Sequence, residues 1–256
     1  MPLIVTRPQP QAAQWVQALQ QAGVDAVACP LIEIAPPDDA QAVPQAQQAL
    51  QNAQAVMCVS AQAVQHLLQG QSVPAHTRFW APGPGTAKAL LALGISPSQI
   101  DSPPSTATEF DSESLWPVVA PQVQPGARLL WARGQSANGS LGRDWLIRQC
   151  EAAGAQVQTA VVYQRRAPQW TAHQRTQVSR WVEQGAWWLF SSSESLQHLQ
   201  QLCPQQDWCG AHAMVTHPRI QETAQNMQFG EIIKVRPALA DVLEACHAHG
   251  LNTLPT

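Results

Sequence analysis

The chain has one tyrosine in 256 residues, and Lys, Arg, Asp and Glu together make up only 12% of it. With a formal net charge of −3, it has no general attraction for nucleic acid or an anionic membrane surface; an anionic ligand has to be met by local groups. The six cysteines (Cys29, Cys58, Cys150, Cys203, Cys209, Cys246) form no CxxC pair, and several lie in apolar runs, where a free thiol acts as a small hydrophobe. The eight histidines contain no HExxH and no zinc-finger spacing, which excludes the common structural metal motifs. Neither GxSxG nor GxxxxGK[ST] occurs. No run approaches the ~20 apolar residues of a membrane helix, and "MPLIVTRPQP" lacks the basic start and long apolar core of a signal peptide. A soluble, cytoplasmic protein of a reducing compartment is expected, with neither membrane nor nucleic acid as partner. A monomer is expected too, since no apolar interface stripe stands out.

What the sequence does hold is a core-forming share of 45% hydrophobic residues and an internal echo. "SAQAVQHLLQ" (60–69) returns as "SSESLQHLQQ" (192–201), each after an apolar run, "AVMCV" and "AWWLF". The echo extends. "LIVT", an amphipathic stretch from Pro10 to Ala22 stopped at Gly23, and "VDAVACP" parallel "RLLWARG", "RDWLIRQCEAAG" and "AQVQTAVVY". Arg7 then matches Arg133, and Gly23 matches Gly154. Strand-like runs alternating with helical segments predict parallel sheets with crossover helices. The period is far too long for a solenoid.

The order of the pieces predicts an α/β fold of two similar parallel-sheet, flavodoxin-like domains. One is discontinuous (1–30 and 170–256) and the other inserted (38–158). Crossover segments at 31–37 (within "PLIEIAPP", 30–37) and 159–169 (around "AVVYQRRAP", 160–168) are β-prone and are expected to pair as a two-stranded antiparallel hinge. Open α/β sheets bind ligands beyond the carboxyl ends of their strands, so two such edges across a hinge would form a cleft.

The candidate site residues follow from that edge. Ser60 and Ser192 stand where a strand gives way to a helix: each is a natural N-cap, and each helix start is also a place for a carboxylate or phosphate. Thr86 opens a helix after Gly83 and Gly85 in "APGPGTAKAL". In the matching turn "VTHPRIQETA", Thr216 precedes His217, Pro218 and Arg219, and Arg219 could meet a carboxylate with two hydrogen bonds. Arg7 and Arg133 follow strand ends, with Gly134, Gly139 and Gly142 opening the second loop; either arginine could equally be a solvated loop residue. Tyr163, in "VVYQRR", is a common kind of strand residue, but a phenol keeps its proton to pH ~10 and can hand it to a leaving oxygen. The carboxylates of "EFDSESL" (109–115) are explained by helix capping at Asp111 or Ser112, and Trp187 and Trp188 by the core.

Taken in order, "VTRP", "CPLIEI", "VSAQAV", "GPGTA", "FDSESL", "RLLWARG", "AVVYQRR", "FSSSESL" and "VTHPRI" resemble the uroporphyrinogen-III synthase family over nearly the whole chain. The resemblance implies two α/β domains hinged by two antiparallel strands. It implies an enzyme, a cyclising hydro-lyase of haem and sirohaem synthesis, that converts hydroxymethylbilane to uroporphyrinogen III with ring D inverted through a spiro intermediate. It implies no metal and no organic cofactor. Tyr163 matches the family's cleft tyrosine, proposed to help the hydroxyl leave. Ser60 and Thr86 match substrate-contacting positions, and Ser192 the equivalent serine of the other domain. Where some members carry a G-P-T-T-A turn, this chain has "HPRIQ", leaving Thr216 or Arg219 to take over its contacts. The alternative is a non-catalytic, hinged two-lobe ligand-binding protein. Fold analogy does not separate the two; the ordered motifs favour the enzyme.

Overall fold

In the computed structural model, residues 1–104, 111–136, 139 and 144–251 are described; Glu109, Gly142 and the tail after Leu251 lie outside the described residues. The strands are β1 (Leu3–Val5), β2 (Ala26–Ala28), β3 (Glu33–Ala35), β4 (Ala55–Cys58), β5 (Arg78–Trp80), β6 (Ile100–Asp101), β7 (Arg128–Ser136), β8 (Gln156–Arg166), β9 (Trp187–Phe190), β10 (His212–Val215) and β11 (Ile232–Lys234). The helices are α1 (Gln11–Gln21), α2 (Ala42–Leu50), α3 (Ala61–Leu68), α4 (Pro84–Ala92), α5 (Ser112–Val119), α6 (Trp145–Ala152), α7 (Ala172–Glu183), α8 (Ser193–Leu202), α9 (Pro218–Asn226) and α10 (Leu239–Ala248). The chain forms two compact units: unit 1 is Met1–Ile34 with Arg166–Thr256, and unit 2 is Ala35–Arg165.

Unit 1 holds a five-stranded sheet in the order β2-β1-β9-β10-β11, which is 2-1-3-4-5 in its own chain order, the flavodoxin-like winding. Its neighbours pair in parallel, with Ile4 between Val27 and Trp188. Both faces of the sheet are covered, so its strands are continuous apolar runs instead of alternating ones. Trp188 and Phe190 point to one core with Val178, Leu196, Leu199 and Ile220 from α7, α8 and α9. Trp187 and Leu189 point to the other with Ala12 and Leu19 of α1 and Val242 and Cys246 of α10. Both adjacent tryptophans are thus core residues, as expected.

Unit 2 holds a six-stranded sheet in the order β3-β8-β7-β4-β5-β6. Matching β7 and β8 to β1 and β2, as the repeat does, gives the same spatial arrangement with the chain order rotated. Met57, Trp80, Leu129 and Trp131 pack against Leu115 and Val119 of α5 and Leu146 and Cys150 of α6. The helix stops expected at Gly23 and Gly154 are there: φ is 84° and 88°, the left-handed region glycine adopts at no steric cost. Asp111 caps α5, its Oδ1 accepting from the Ser114 N–H at 2.8 Å.

The outward and return segments meet, since β3 and β8 are hydrogen-bonded neighbours. The return segment starts earlier than its expected boundary at 159. From Gln156 to Arg165 it pairs in parallel with β7, because "QVQTAVVYQRR" contains no proline to interrupt the ladder.

Candidate active site

The carboxyl ends of β7 and β4 lie side by side where the winding of unit 2 reverses direction, the position at which open α/β sheets take their ligands. Ser60 follows β4 and is the N-cap of α3: its Oγ accepts from the Ala63 N–H at 3.1 Å. The same oxygen lies 3.1 Å from the hydroxyl of Tyr163. Two residues named separately from the sequence are therefore hydrogen-bonded to each other.

Tyr163 reaches that point through an irregularity. Arg133 pairs with Val161, but the next β7 residue, Gly134, pairs with Tyr163, so Val162 is an extra residue on β8. A bulge of this kind re-aims the side chains after it. The phenol ring is only 3% exposed and stacks on His66 of α3, with centroids 5.8 Å apart and planes 23° from parallel. Burial lowers the His66 pKa below its usual 6.5. Gly134, expected to open a loop, instead lies inside β7 against the ring.

Arg133 is 3% exposed, and one of its terminal nitrogens donates to Asp144 at 2.8 Å. It sits within β7 and not after the strand, because β7 runs on to Ser136. Thr86 is buried in the first turn of α4, whose N-cap, Gly83, provides no side-chain acceptor. A cavity of about 380 Å³ in unit 2, bordered by Asp38, Gln45, Gln135 and Gln164, includes none of the predicted site residues.

Unit 1 presents its own set. The Arg7 guanidinium lies over the Trp15 ring at 4.1 Å, and burial lowers its pKa. Ser192 caps α8, accepting from the Glu194 N–H at 3.2 Å. Thr216 is half-buried just after β10, and Arg219 is exposed in the first turn of α9, its backbone N–H donating to His217 Nδ1 at 3.1 Å. His198 occupies the repeat position of His66 and is buried; its Nδ1 lies 2.7 Å from the Leu31 carbonyl, which can only accept, so the ring carries its proton there.

Sequence reasoning missed His66, Trp15 and Asp144, and it assigned Gly134 to a loop instead of to the strand beside Tyr163. Two signals were present: an isolated glycine in a strand-like run marks a bulge or close approach, and His66 recurs as His198 within the repeat.

Such a chain is a duplicated, doubly wound α/β protein with hydroxyl and guanidinium groups near the carboxyl ends of its strands. Two solved structures share the architecture. Uroporphyrinogen-III synthetase from Helicobacter pylori is similar at 14% identity and a TM-score of 0.60, with 97% of this chain and 99% of that one covered. A mutant uroporphyrinogen III synthase from Thermus thermophilus is similar at 12% identity and a TM-score of 0.57, with 97% and 98% covered. Residues 13–244 match the family model described as uroporphyrinogen-III synthase HemD, and the chain belongs to that family. It is a lyase-type enzyme of tetrapyrrole biosynthesis acting on a small-molecule tetrapyrrole substrate. Among the described residues no helix is long and apolar enough to cross a membrane, and no three His, Cys, Asp or Glu side chains are grouped to hold a metal ion.

Proposed function

We propose that the reaction is the dehydrating cyclisation of hydroxymethylbilane to uroporphyrinogen III, with Tyr163 as proton donor. The observation that carries this reading is the hydroxyl pair of Ser60 and Tyr163 at the carboxyl rim of unit 2, in a chain that matches the synthase family.

The terminal C–O bond of the bilane breaks as the pyrrole nitrogen pushes electrons toward the carbon, and the departing oxygen takes a proton and leaves as water. Tyr163 supplies that proton. Ser60 already accepts from a backbone N–H, so its own hydrogen is free to point at the phenol oxygen and stabilise the charge that develops there. The resulting azafulvene is attacked by ring D through its substituted carbon. The spiro intermediate opens and recloses with ring D reversed, and the phenol regains its proton as the last ring rearomatises. Site enclosure by His66 and the β7–β8 strands keeps water from the phenol, which strengthens its interaction with charge.

The carboxylates of the bilane are met by fixed groups, since the net charge of the protein offers no help. In unit 2 these are the helix start at Thr86 and the guanidinium of Arg133. In unit 1 they are Arg7, Ser192, Thr216 and Arg219. The protein works as a monomer in the cytoplasm.

The experiment is isomer analysis of the porphyrinogen formed from fresh hydroxymethylbilane. The unaided bilane closes without inversion to isomer I, so isomer III in the presence of the protein is the expected result, and isomer I alone from folded protein would reject the reading. Tyr163→Phe should fold normally and turn over about 100-fold more slowly, the usual worth of a positioned proton donor; wild-type turnover would remove Tyr163 from that role.

A further inference from the structure

The ring of Tyr163 occupies the space in which a side chain at position 134 would stand. A methyl group added to Gly134 would lie 2.2 Å from Cζ of Tyr163, 2.5 Å from Cε2 and 2.7 Å from the phenol oxygen. Carbon atoms in van der Waals contact are about 3.5–4.0 Å apart, so no side chain at 134 is compatible with the ring where it is. The ring has little freedom to give way. It is 3% exposed, stacked on His66 and tied through its hydroxyl to Ser60. The backbone of Gly134 needs no glycine for its own sake, because position 134 is not among the left-handed residues. The absent Cβ is used for space alone.

The register explains why the space is needed there. The extra residue at Val162 brings Tyr163 directly opposite Gly134, and Val162, Tyr163 and Gln164 are buried in succession. A regular ladder would alternate the faces of these residues. The bulge turns the phenol across its partner strand, and only a residue without a side chain can be crossed.

We propose that Gly134 is a positioning residue for the reaction: it is the floor across which the Tyr163 ring lies so that its hydroxyl meets Ser60 at the carboxyl rim. The inference rests on the reading of Tyr163 as proton donor. It assigns Gly134 no contact with substrate.

The test is Gly134→Ala, alone and in pairs, with three readouts: turnover of hydroxymethylbilane, thermal midpoint, and the NMR signal of ring-labelled tyrosine. The chain has one tyrosine, so that signal reports Tyr163 without assignment. Gly134→Ala is expected to shift the tyrosine signal, lower the thermal midpoint and slow turnover by tenfold or more. Gly134→Ala combined with Tyr163→Phe keeps the ring collision but has no hydroxyl left to displace, so per folded molecule it should be no slower than Tyr163→Phe alone. Gly134→Ala with Tyr163→Ala should melt at the midpoint of Tyr163→Ala, since the collision has been removed; this pair keeps the test decisive even where Gly134→Ala fails to fold. Wild-type turnover in Gly134→Ala, an unmoved tyrosine signal, a further loss on top of Tyr163→Phe, or a midpoint that Tyr163→Ala does not recover would each overturn the positioning role. Wild-type turnover in Tyr163→Phe is a different failure: it overturns the proton-donor reading, and the catalytic purpose of the position with it, whatever the tyrosine signal shows.

Discussion

The two units repeat one sheet arrangement, but the second strand of the repeat ends differently in each. Aligning Arg7 with Arg133 sets Leu3 on Leu129; through the strand registers this sets Pro30 on Val161, Leu31 on Val162 and Ile32 on Tyr163. Proline has no N–H for the ladder, and β2 stops at Ala28. β8 meets no proline until Pro168 and runs to Arg166, bringing a phenol to the rim. The repeated histidines show the same divergence. His198 donates to the Leu31 carbonyl, whereas His66 stacks on Tyr163, one position further along. One scaffold thus ties its histidine to a backbone carbonyl in unit 1 and stacks it in unit 2 on the phenol proposed above as proton donor.

The sharpest test of this comparison is to remove both histidines in turn. His198→Ala should cost about 3 kcal/mol in denaturant unfolding, from the lost buried ring and the orphaned Leu31 carbonyl. His66→Ala should cost about 1 kcal/mol, because its ring is only half-buried and makes no hydrogen bond among the described residues. Equal losses would mean that the two positions still do the same work.

A smaller contrast is expected at the serines. Ser60→Ala and Ser192→Ala each remove an N-cap and should each cost about 1 kcal/mol of stability. Their kinetics should differ: Ser60→Ala also removes the partner of the phenol and should lower kcat by about tenfold, the worth of one hydrogen bond. Ser192→Ala should change KM and leave kcat alone. A kcat loss in both would erase the functional distinction between the units.

The smallest effect is in pH dependence. With its folded pKa below the usual 6.5, His66 takes up a proton more readily in the unfolded chain. Stability is therefore full above about pH 6.5 and declines as pH falls from there toward the lowered folded value. His66→Gln should flatten that decline in unfolding experiments between pH 7 and 5, and an unchanged slope would place its origin in another group.

Much of this arrangement was legible because it depends on pattern. The repeat, the alternation of apolar runs with helices and the stops at Gly23 and Gly154 are local signals, and together they determine a rotated copy of one winding. The serines were legible as caps for the same reason. The Ser60–Tyr163 bond was not, because it joins residues 103 positions apart through a one-residue register change that no local pattern encodes. Arg133 was expected at a loop, and its burial beside Asp144 depends on β7 outlasting β1, which is a property of the β8 partner and not of "RLLWARG" itself.

The rotated order also has a consequence for synthesis. β1 is hydrogen-bonded between β2 and β9, with Ile4 against Trp188, whereas every strand of the unit 2 sheet lies within residues 33–166. A chain emerging from the ribosome N-terminus first can therefore close unit 2 while the opening β1–α1–β2 segment still lacks its central neighbour. That segment carries exposed apolar faces until the C-terminal third arrives, which makes the first thirty residues the stretch that depends on prompt completion of the chain.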